Sequence, residues 1–320
     1  MLLELLLGEG DGLARVERPL LKPWYRLSLD DGCAVLRYAG SVLEFEGAAA
    51  KRLLPHLLPL LDGTRTVDEV VGELGEAVRP AVEHALSLLR AHDLITAGAP
   101  PDAAAGGRRT AELLASVDAA GQTLADLHAR LVAVEVRVLG AAPAAEPVAR
   151  LLQASNVLAV DRLTWEDEAP ADGLVVAAPA SEELAELAAW NRRALGPWLQ
   201  VLPFDGRLAA VGPVFVPGQT ACHECYLLRR DSTIAPWPDR AQGRHSGSPA
   251  LDAVVAGLAA HIALRWLAAG ELADAGVLLA LEPGAELRCT RHFVHRVPRC
   301  PVCSPLAQRA AASPWSGIAA

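Results

Sequence analysis

Residues 212–225 read GPVFVPGQTACHEC, and this run ends in the pair Cys222 and Cys225. A second pair with the same spacing, Cys300 and Cys303 in CPVC, follows near the end of the sequence. Two Cys-x-x-Cys pairs supply four thiolates, and each pair can hold one edge of a tetrahedral Zn²⁺ ion. A closed shell of four sulfur atoms leaves no open position for water. The spacing therefore predicts a structural zinc site with these four cysteines as ligands.

Other interpretations of the cysteines stay open at this point. The pairs could be two redox motifs or four buried thiols, and His223, His292 or His295 could replace one ligand. Cys33 and Cys289 each lie on a predicted strand, where a lone thiol is typical of a small core residue.

The composition limits the class of protein. A length of 320 residues allows about two domains, and 52% hydrophobic with 21% charged residues predicts a folded chain. A net charge of −9 argues against a nucleic-acid partner, because phosphate contacts require a basic surface. Paired cysteines at metal-binding spacing fit a reducing compartment better than a disulfide framework.

A membrane partner is not expected either. Residues 2–7 read LLELLL, which is too short and contains an acid, unlike the core of a signal peptide. The long apolar stretch at 249–270 is interrupted by Asp252, His261 and Arg265, which would be costly at the centre of a bilayer. We therefore expect a buried helix there and a soluble, cytoplasmic protein.

A first domain is predicted over residues 1–97. Three alternating segments separated by glycine-containing turns predict an antiparallel meander, at 24–29, 33–38 and 41–46. Pro55 and Pro59 should divide the next helix into two short pieces, and a capping box beginning at Thr66 should start another. A third helix should begin near Pro80, followed by an extended piece. Three strands followed by three helical elements predict a winged-helix-like domain.

A linker and a second domain follow. Residues 98–108 consist largely of Ala, Gly and Pro, which predicts a linker. In residues 109–320 strands alternate with helices, and the apolar run at 174–178 is typical of a strand covered on both faces. The pattern predicts an α/β domain with a largely parallel sheet.

The run at 212–225, followed by Arg229 and Arg230, resembles the ThiF-like cyclodehydratase partner proteins, or leader-peptide-binding proteins, of thiazole- and oxazole-forming ribosomal peptide pathways. CPVC and the turn LLDGTRT at 60–66 are similar to the same family, so the resemblance covers residues 20–303. It implies a PqqD-like recognition domain followed by a ubiquitin-activating-enzyme or ThiF-like Rossmann-type domain with a four-cysteine zinc site. Cyclisation of Cys, Ser or Thr would belong to a separate YcaO cyclodehydratase.

The resemblance also implies where the leader of a precursor peptide binds. In this family the leader adds as a strand to the third strand and packs on the third helix, which correspond here to 41–46 and 80–92. Strand addition uses backbone hydrogen bonds for affinity and alternate side chains for specificity. The candidate peptide-binding residues are Val42, Leu43, Glu44, Phe45, Val82, Leu86, Leu89 and Arg90. Alternation does not say which strand residues face the peptide, and Val82 and Leu86 are equally typical of a core.

Active members of this fold bind ATP at a glycine-rich turn after the first strand. Here residues 140–145 read GAAPAA, so the later glycines are missing and Pro143 removes an amide donor. The segment 231–248 contains no cysteine nucleophile. We therefore predict a non-catalytic subunit. An active adenylating enzyme of the ThiF fold and a winged-helix regulator stay open as alternatives, and a homodimer is compatible with the sequence.

Overall fold

The computed structural model describes residues 18–22, 25–30, 33–38, 41–92, 94–97, 124–155, 157, 159–233, 247–269 and 275–304. These residues belong to two compact units, Met1–His128 and Ala129–Ala320. The predicted linker at 98–108, most of the loop at 231–248 and the tail after Ser304 lie outside the described residues.

The first unit contains a three-stranded meander. The described strands of this unit are β1 (Pro19–Leu21), β2 (Arg26–Asp30), β3 (Cys33–Tyr38), β4 (Ser41–Glu46) and β5 (Ile95–Ala97). Strands β2, β3 and β4 pair antiparallel in that order, which confirms the predicted meander. Strand β1 pairs antiparallel with β5. Sequence analysis missed β1, because three residues are too few to show alternation.

Among its described residues, this unit also contains the helices α1 (Ala48–Leu57), α2 (Val67–Leu74) and α3 (Arg79–Ala91). The break expected at Pro55 is wrong, because Pro55 lies inside α1 and the chain changes to a 3-10 turn only at Leu58. The capping box is confirmed: the Thr66 hydroxyl accepts from the amide of Glu69 at 3.2 Å, and the Glu69 carboxylate accepts from the amide of Thr66 at 2.6 Å. These bonds satisfy amides that the first helical turn leaves free.

The core of the first unit lies between the meander and the helices. Leu36 of β3, Leu57 of α1, Val70 of α2 and Leu89 of α3 are buried in one hydrophobic cluster. Burial of such side chains contributes about 1.5–3 kcal/mol each, so this cluster holds the strands and helices together.

The second unit is built on a seven-stranded mixed sheet. Its strands are β6 (Val136–Leu139), β7 (Val160–Leu163), β8 (Leu174–Ala177), β9 (Trp198–Leu202), β10 (Ala209–Phe215), β11 (Val277–Glu282) and β12 (Arg288–Phe293). They are ordered β12-β11-β10-β9-β8-β6-β7. Strands β7, β6, β8 and β9 run parallel, whereas β10, β11 and β12 pair antiparallel. The connections at 203–208 and 283–287 are too short for the crossover that parallel neighbours need.

The remaining helices are α4 (Leu124–Ala133), α5 (Ala145–Ala154), α6 (Leu184–Asn191), α7 (His223–Thr233) and α8 (Pro249–Ala269). Helix α8 is the predicted buried helix. By length and composition it could cross a membrane, but half of its most apolar window is buried in the protein. It packs against α5 and against β8, β9 and β10. Buried alanines such as Ala256 and Ala263 allow this close approach, so α8 serves as a core helix.

Element ends differ from the predictions by a few residues. Helix α4 continues through Ala133, where the alternation at 132–139 predicts a strand, and β6 begins only at Val136. Leu131 is buried on the helix. Over a few residues, one buried leucine fits the helical pattern and the strand pattern equally well. Trp190 and Trp198 are fully buried and pack edge to face, with ring centroids 5.5 Å apart.

Candidate functional site

The sulfur atoms of the two cysteine pairs meet in one cluster. The Sγ atom of Cys222 lies 3.8 Å from that of Cys225 and 3.5 Å from that of Cys300, and the Sγ atoms of Cys225 and Cys303 are 3.4 Å apart. All four lie within 4.8 Å of one another. Tetrahedral Zn–S bonds of about 2.3 Å place sulfur atoms about 3.8 Å apart, whereas a disulfide requires about 2.05 Å. The arrangement fits one metal ion and does not fit disulfides.

Two arginines hold the segments that carry the cysteine pairs. Arg229 of α7 donates to the carbonyl oxygens of His295 and Arg296, at 2.6 Å and 3.1 Å. Arg296 in turn donates to the carbonyl oxygens of Thr220, at 2.8 Å, and Gly218. The segment before the second pair is therefore fastened to α7 by Arg229 and to the loop before the first pair by Arg296.

The surroundings of the thiols differ. Burial raises the pKa of Cys222 and of Cys303. Burial also opposes ionisation of Cys225, but its pKa is lowered because the backbone amide of Val297 donates to its sulfur atom at 3.3 Å. A divalent cation would favour the thiolate form of every ligand, since metal charge outweighs such local effects.

The histidines considered as alternative ligands lie outside the cluster. The ring of His223 packs within about 6 Å of three aromatic rings, which belong to Trp198, Phe215 and Tyr226. Burial lowers the pKa of His223 to about 4, so its ring is neutral. His292 hydrogen-bonds Thr290 at 2.9 Å, and His295 stacks on Phe293. Among the described residues, the group of metal-ligating atoms contains four cysteines and no histidine.

The prediction that Cys289 is a core residue is wrong. It is exposed, because β12 is the edge strand of the sheet and shows side chains on both faces. The side chain of Cys33 lies outside the described residues.

The turn after β6 has no amide left for a ligand between residues 141 and 143. Gly140 has a φ of 99°, and a Cβ atom there would lie 2.3 Å from the carbonyl oxygen of Ala178. The amide of Ala141 donates to the carboxylate of Glu183 at 2.8 Å. The amide of Ala142 donates to the carbonyl oxygen of Ala178 at 3.0 Å, and the next residue is a proline. The turn is thus closed by groups of the protein itself.

The Glu183 carboxylate accepts further hydrogen bonds. It also accepts from the amide of Ala180 at 2.8 Å and from the indole of Trp165 at 2.9 Å. Burial alone would raise its pKa, but these hydrogen bonds, that of Ala141 and the charge of Arg162 together lower it. The carboxylate therefore joins the segments that follow β6, β7 and β8. Sequence analysis missed this residue, since nothing local relates Glu183 to a turn 42 residues earlier.

The side chains of β4 divide into an accessible and a packed set. Val42 is 54% exposed and Glu44 is exposed, while Leu43 and Phe45 are half-buried and pack on the core. Of the described strands, β4 pairs only with β3, so its other edge is open.

The candidate residues on α3 lie mostly inside the protein. Val82, Leu86 and Leu89 are buried in the core cluster, so the core alternative fits these three residues, and a peptide could not reach them without opening the core. Arg90 is half-buried, and its Nε atom has no hydrogen-bond partner among the described residues. The exposed positions of this helix include Leu88.

The chain shares its fold with solved heterocyclases and with MccB of E. coli. A heterocyclase in complex with substrate and cofactor superposes with a TM-score of 0.64 at 20% identity, covering 92% of this chain and 41% of that protein. The heterocyclase TruD gives 0.63 at 22% identity, covering 90% and 43%. E. coli MccB gives 0.60 at 15% identity, covering 90% and 97%.

These comparisons confirm the ThiF-like resemblance at the level of the fold. The chain spans about two fifths of the length of the heterocyclases and nearly all of MccB. No protein-family model and no curated protein matches the sequence.

Proposed function

We propose that this chain binds the leader of a ribosomally synthesised precursor peptide and delivers the peptide to a separate YcaO cyclodehydratase, which forms azolines from Cys, Ser or Thr. In this proposal residues 1–97 form a PqqD-like, winged-helix recognition domain, 98–108 a linker and 109–320 a ThiF-like domain. The complex would work in the cytoplasm.

The open edge of β4 is the observation that carries the proposal. An extended peptide can add to such an edge through backbone hydrogen bonds, and Val42 and Glu44 are then available to select its side chains. Arg90 of α3 is half-buried, and we propose that the accessible part of its guanidinium donates to a carbonyl or carboxylate of the peptide. Leu43 and Phe45 would support the strand from the core side.

A second protein is part of this proposal. The heterocyclases that share this fold are more than twice as long as the portion this chain covers. We propose a separate YcaO cyclodehydratase as the source of the cyclisation chemistry.

We also propose that Cys222, Cys225, Cys300 and Cys303 bind a structural Zn²⁺ ion. The sulfur separations fit a four-thiolate shell, and Arg229 and Arg296 fix the two segments that carry the ligands. Such an ion would stabilise the fold and would supply no chemistry, because a shell of four protein ligands has no position for a substrate.

The closed turn after β6 supports a non-catalytic role. A nucleotide phosphate would need the amide of Ala141, which already donates to Glu183, and it would meet the negative charge of that carboxylate. Residues 141–143 therefore leave no free amide for a phosphate in this turn.

An active adenylating enzyme is the second candidate. It is favoured by the match over nearly the full length of E. coli MccB, a protein that has been solved with ATP. For a nucleotide phosphate to accept a hydrogen bond from the amide of Ala141, Glu183 would have to leave the turn.

The test is fluorescence polarisation of a labelled leader peptide, taken from the precursor encoded nearest this gene, against the full chain, with ATP consumption measured in parallel. Val42→Ser should weaken binding by about tenfold, since it removes an exposed apolar contact on the open strand. Val254→Ser, the same change at an exposed position of α8, is the control and should leave binding unchanged.

Leader binding without ATP turnover would support recruitment. ATP turnover without leader binding would overturn the proposal in favour of the adenylating enzyme. Equal effects of both valine substitutions would remove β4 from the binding site.

A further inference from the structure

Strand β12 forms an open edge whose chemistry differs from that of β4. It closes one side of the seven-stranded sheet, and among the described strands it pairs only with β11. Side chains along β12 are exposed on both faces, apart from a half-buried Thr290. An edge of this kind presents free backbone amide and carbonyl groups to a new strand.

This edge is basic in an otherwise acidic protein. Residues 287–304 contain Arg288, Arg291, Arg296 and Arg299 and no Asp or Glu, although the whole chain carries a net charge of −9. Glu282 lies opposite Arg288 in the register but pairs with Arg207 at 3.7 Å. In the described part of the chain, no carboxylate forms an ion pair with Arg288, Arg291 or Arg299.

The edge also displays apolar surface. Phe293 is 57% exposed and Leu287 is 50% exposed. The guanidinium of Arg291 lies over the Phe293 ring, with 4.7 Å from its Cζ atom to the ring centroid, and so holds a cation beside an exposed aromatic face. Charge alone is a common protection of an edge strand against aggregation, but exposed aromatic and aliphatic side chains work against such protection.

We propose that β12 is a docking edge for an acidic, extended segment of another protein, which adds to the sheet as an eighth, antiparallel strand. The backbone of the segment would pair with β12, its carboxylates would lie opposite Arg288 and Arg291, and an apolar side chain would cover Phe293. This inference does not depend on leader binding at β4.

A second copy of this chain is a poor occupant. Two β12 strands pairing antiparallel would bring four arginines together in one two-stranded ribbon with no carboxylate on either strand, and like charges at such short distances repel. A nucleic acid is disfavoured as well. A long polyanion would be repelled by the negative charge of the rest of the chain. A short peptide would interact only with charges within about 8 Å of it at physiological salt.

The probe follows from the register of β12. A peptide Val-Glu-Glu-Thr-Val-Glu, flanked by Gly-Ser and labelled with fluorescein, would place valine on Phe293, glutamates on His292, Arg291 and Arg288, and uncharged residues on Thr290 and Cys289. Fluorescence anisotropy with the full, zinc-loaded chain measures its binding. A version with lysines in place of the glutamates tests charge, and a version with proline in place of the threonine and the second valine tests backbone pairing at unchanged charge.

The variants separate this edge from general charge. Arg288→Glu/Arg291→Glu should weaken binding of the acidic peptide by at least about tenfold. Arg150→Glu/Arg192→Glu makes the same change in net charge at exposed positions elsewhere in the second unit and should change binding by less than about twofold. Phe293→Ser should weaken binding without changing its dependence on salt.

Binding of the acidic peptide that is lost with lysine or with proline would support the proposal. No binding of the acidic peptide at low salt would overturn it, as would equal effects of the two double variants. Binding of the proline peptide as tight as that of the original would overturn strand addition, and tighter binding of a single-stranded DNA oligomer would overturn the assignment to an acidic polypeptide. Unchanged zinc content and melting temperature in each variant exclude unfolding as the cause.

Discussion

The carboxylate of Glu183 accepts a hydrogen bond of 2.8 Å from the backbone amide of Ala141, which comes directly after Gly140 in the turn that follows β6. In a Rossmann-type sheet this turn is the place where a bound phosphate receives amide hydrogen bonds. Here an anion belonging to the protein receives one of them instead. The relationship connects stability with the proposed lack of nucleotide chemistry.

Replacing Glu183 by Gln should destabilise the second unit. The amide group can accept fewer of the three hydrogen bonds and loses the attraction to Arg162, so we expect a loss of about 1 kcal/mol in the free energy of unfolding at neutral pH. Because the folded pKa of Glu183 lies below its unfolded value, its contribution is present above the unfolded pKa and disappears as the pH falls through the folded pKa. Urea unfolding at pH 7 and at successively lower pH below about 4 measures this difference.

A difference between wild type and Glu183→Gln that stays constant across that pH range would contradict the assignment. Glu182→Gln is the matched control, since the neighbouring carboxylate lies in the same turn and is exposed.

Gly140→Ala should destabilise the protein by at least about 2 kcal/mol, because alanine is strained at a positive φ and its Cβ would overlap a carbonyl oxygen. Gly257→Ala provides the contrast: this glycine lies in α8, and no atom lies within 4 Å of the place where an alanine Cβ would stand. Alanine at position 257 should therefore raise stability by up to about 1 kcal/mol. Thermal and urea unfolding of both variants measure the effects. Equal changes of the same sign would refute the packing described around Gly140.

With zinc bound as proposed, Cys222→Ser should release the ion and destabilise the second unit by several kcal/mol, because a three-thiolate site holds zinc less tightly and the folded state loses a cross-link. Zinc content after gel filtration and the melting temperature with and without a chelator are the measurements. Cys289→Ser removes an exposed thiol outside the cluster and should retain both zinc and stability. Retention of a full equivalent of zinc by Cys222→Ser would rule out this residue as a ligand.

Arg296→Gln should lower zinc affinity by about 10–100-fold, the range typical of groups that position metal ligands. Its guanidinium bridges the loop before the second cysteine pair to the carbonyl oxygens of Thr220 and Gly218. Arg299→Gln is an exposed control one residue before Cys300. Competition with a chromogenic chelator measures the affinity, and equal losses in the two variants would show that charge near the site matters more than the hydrogen bonds.

The cluster of four cysteines could be predicted from sequence because Cys-x-x-Cys spacing is a local signal that survives a separation of 78 residues between the pairs. The capping box at Thr66 was predictable for the same reason, since its partners are three residues apart. The meander followed from alternation and from turn residues. In each case the residues that determine the feature lie within a short window of the chain.

Other features depend on tertiary neighbours. Cys289 was placed in the core because strands usually have a buried face, but only the strand order shows that β12 is an edge. Accessibility on β4 was undecided, since alternation identifies two faces without saying which one meets the core. The antiparallel half of the sheet and the role of Glu183 likewise depend on which strands become neighbours.

The position of the cysteine pairs has a consequence for a protein cut by a protease. Any single break of the chain between Cys225 and Cys300 leaves two fragments with two of the four thiolates each. The first fragment carries Cys222 and Cys225, and the second carries Cys300 and Cys303. With zinc bound as proposed, the ion would hold the two fragments together. They would migrate together until a chelator removed the ion.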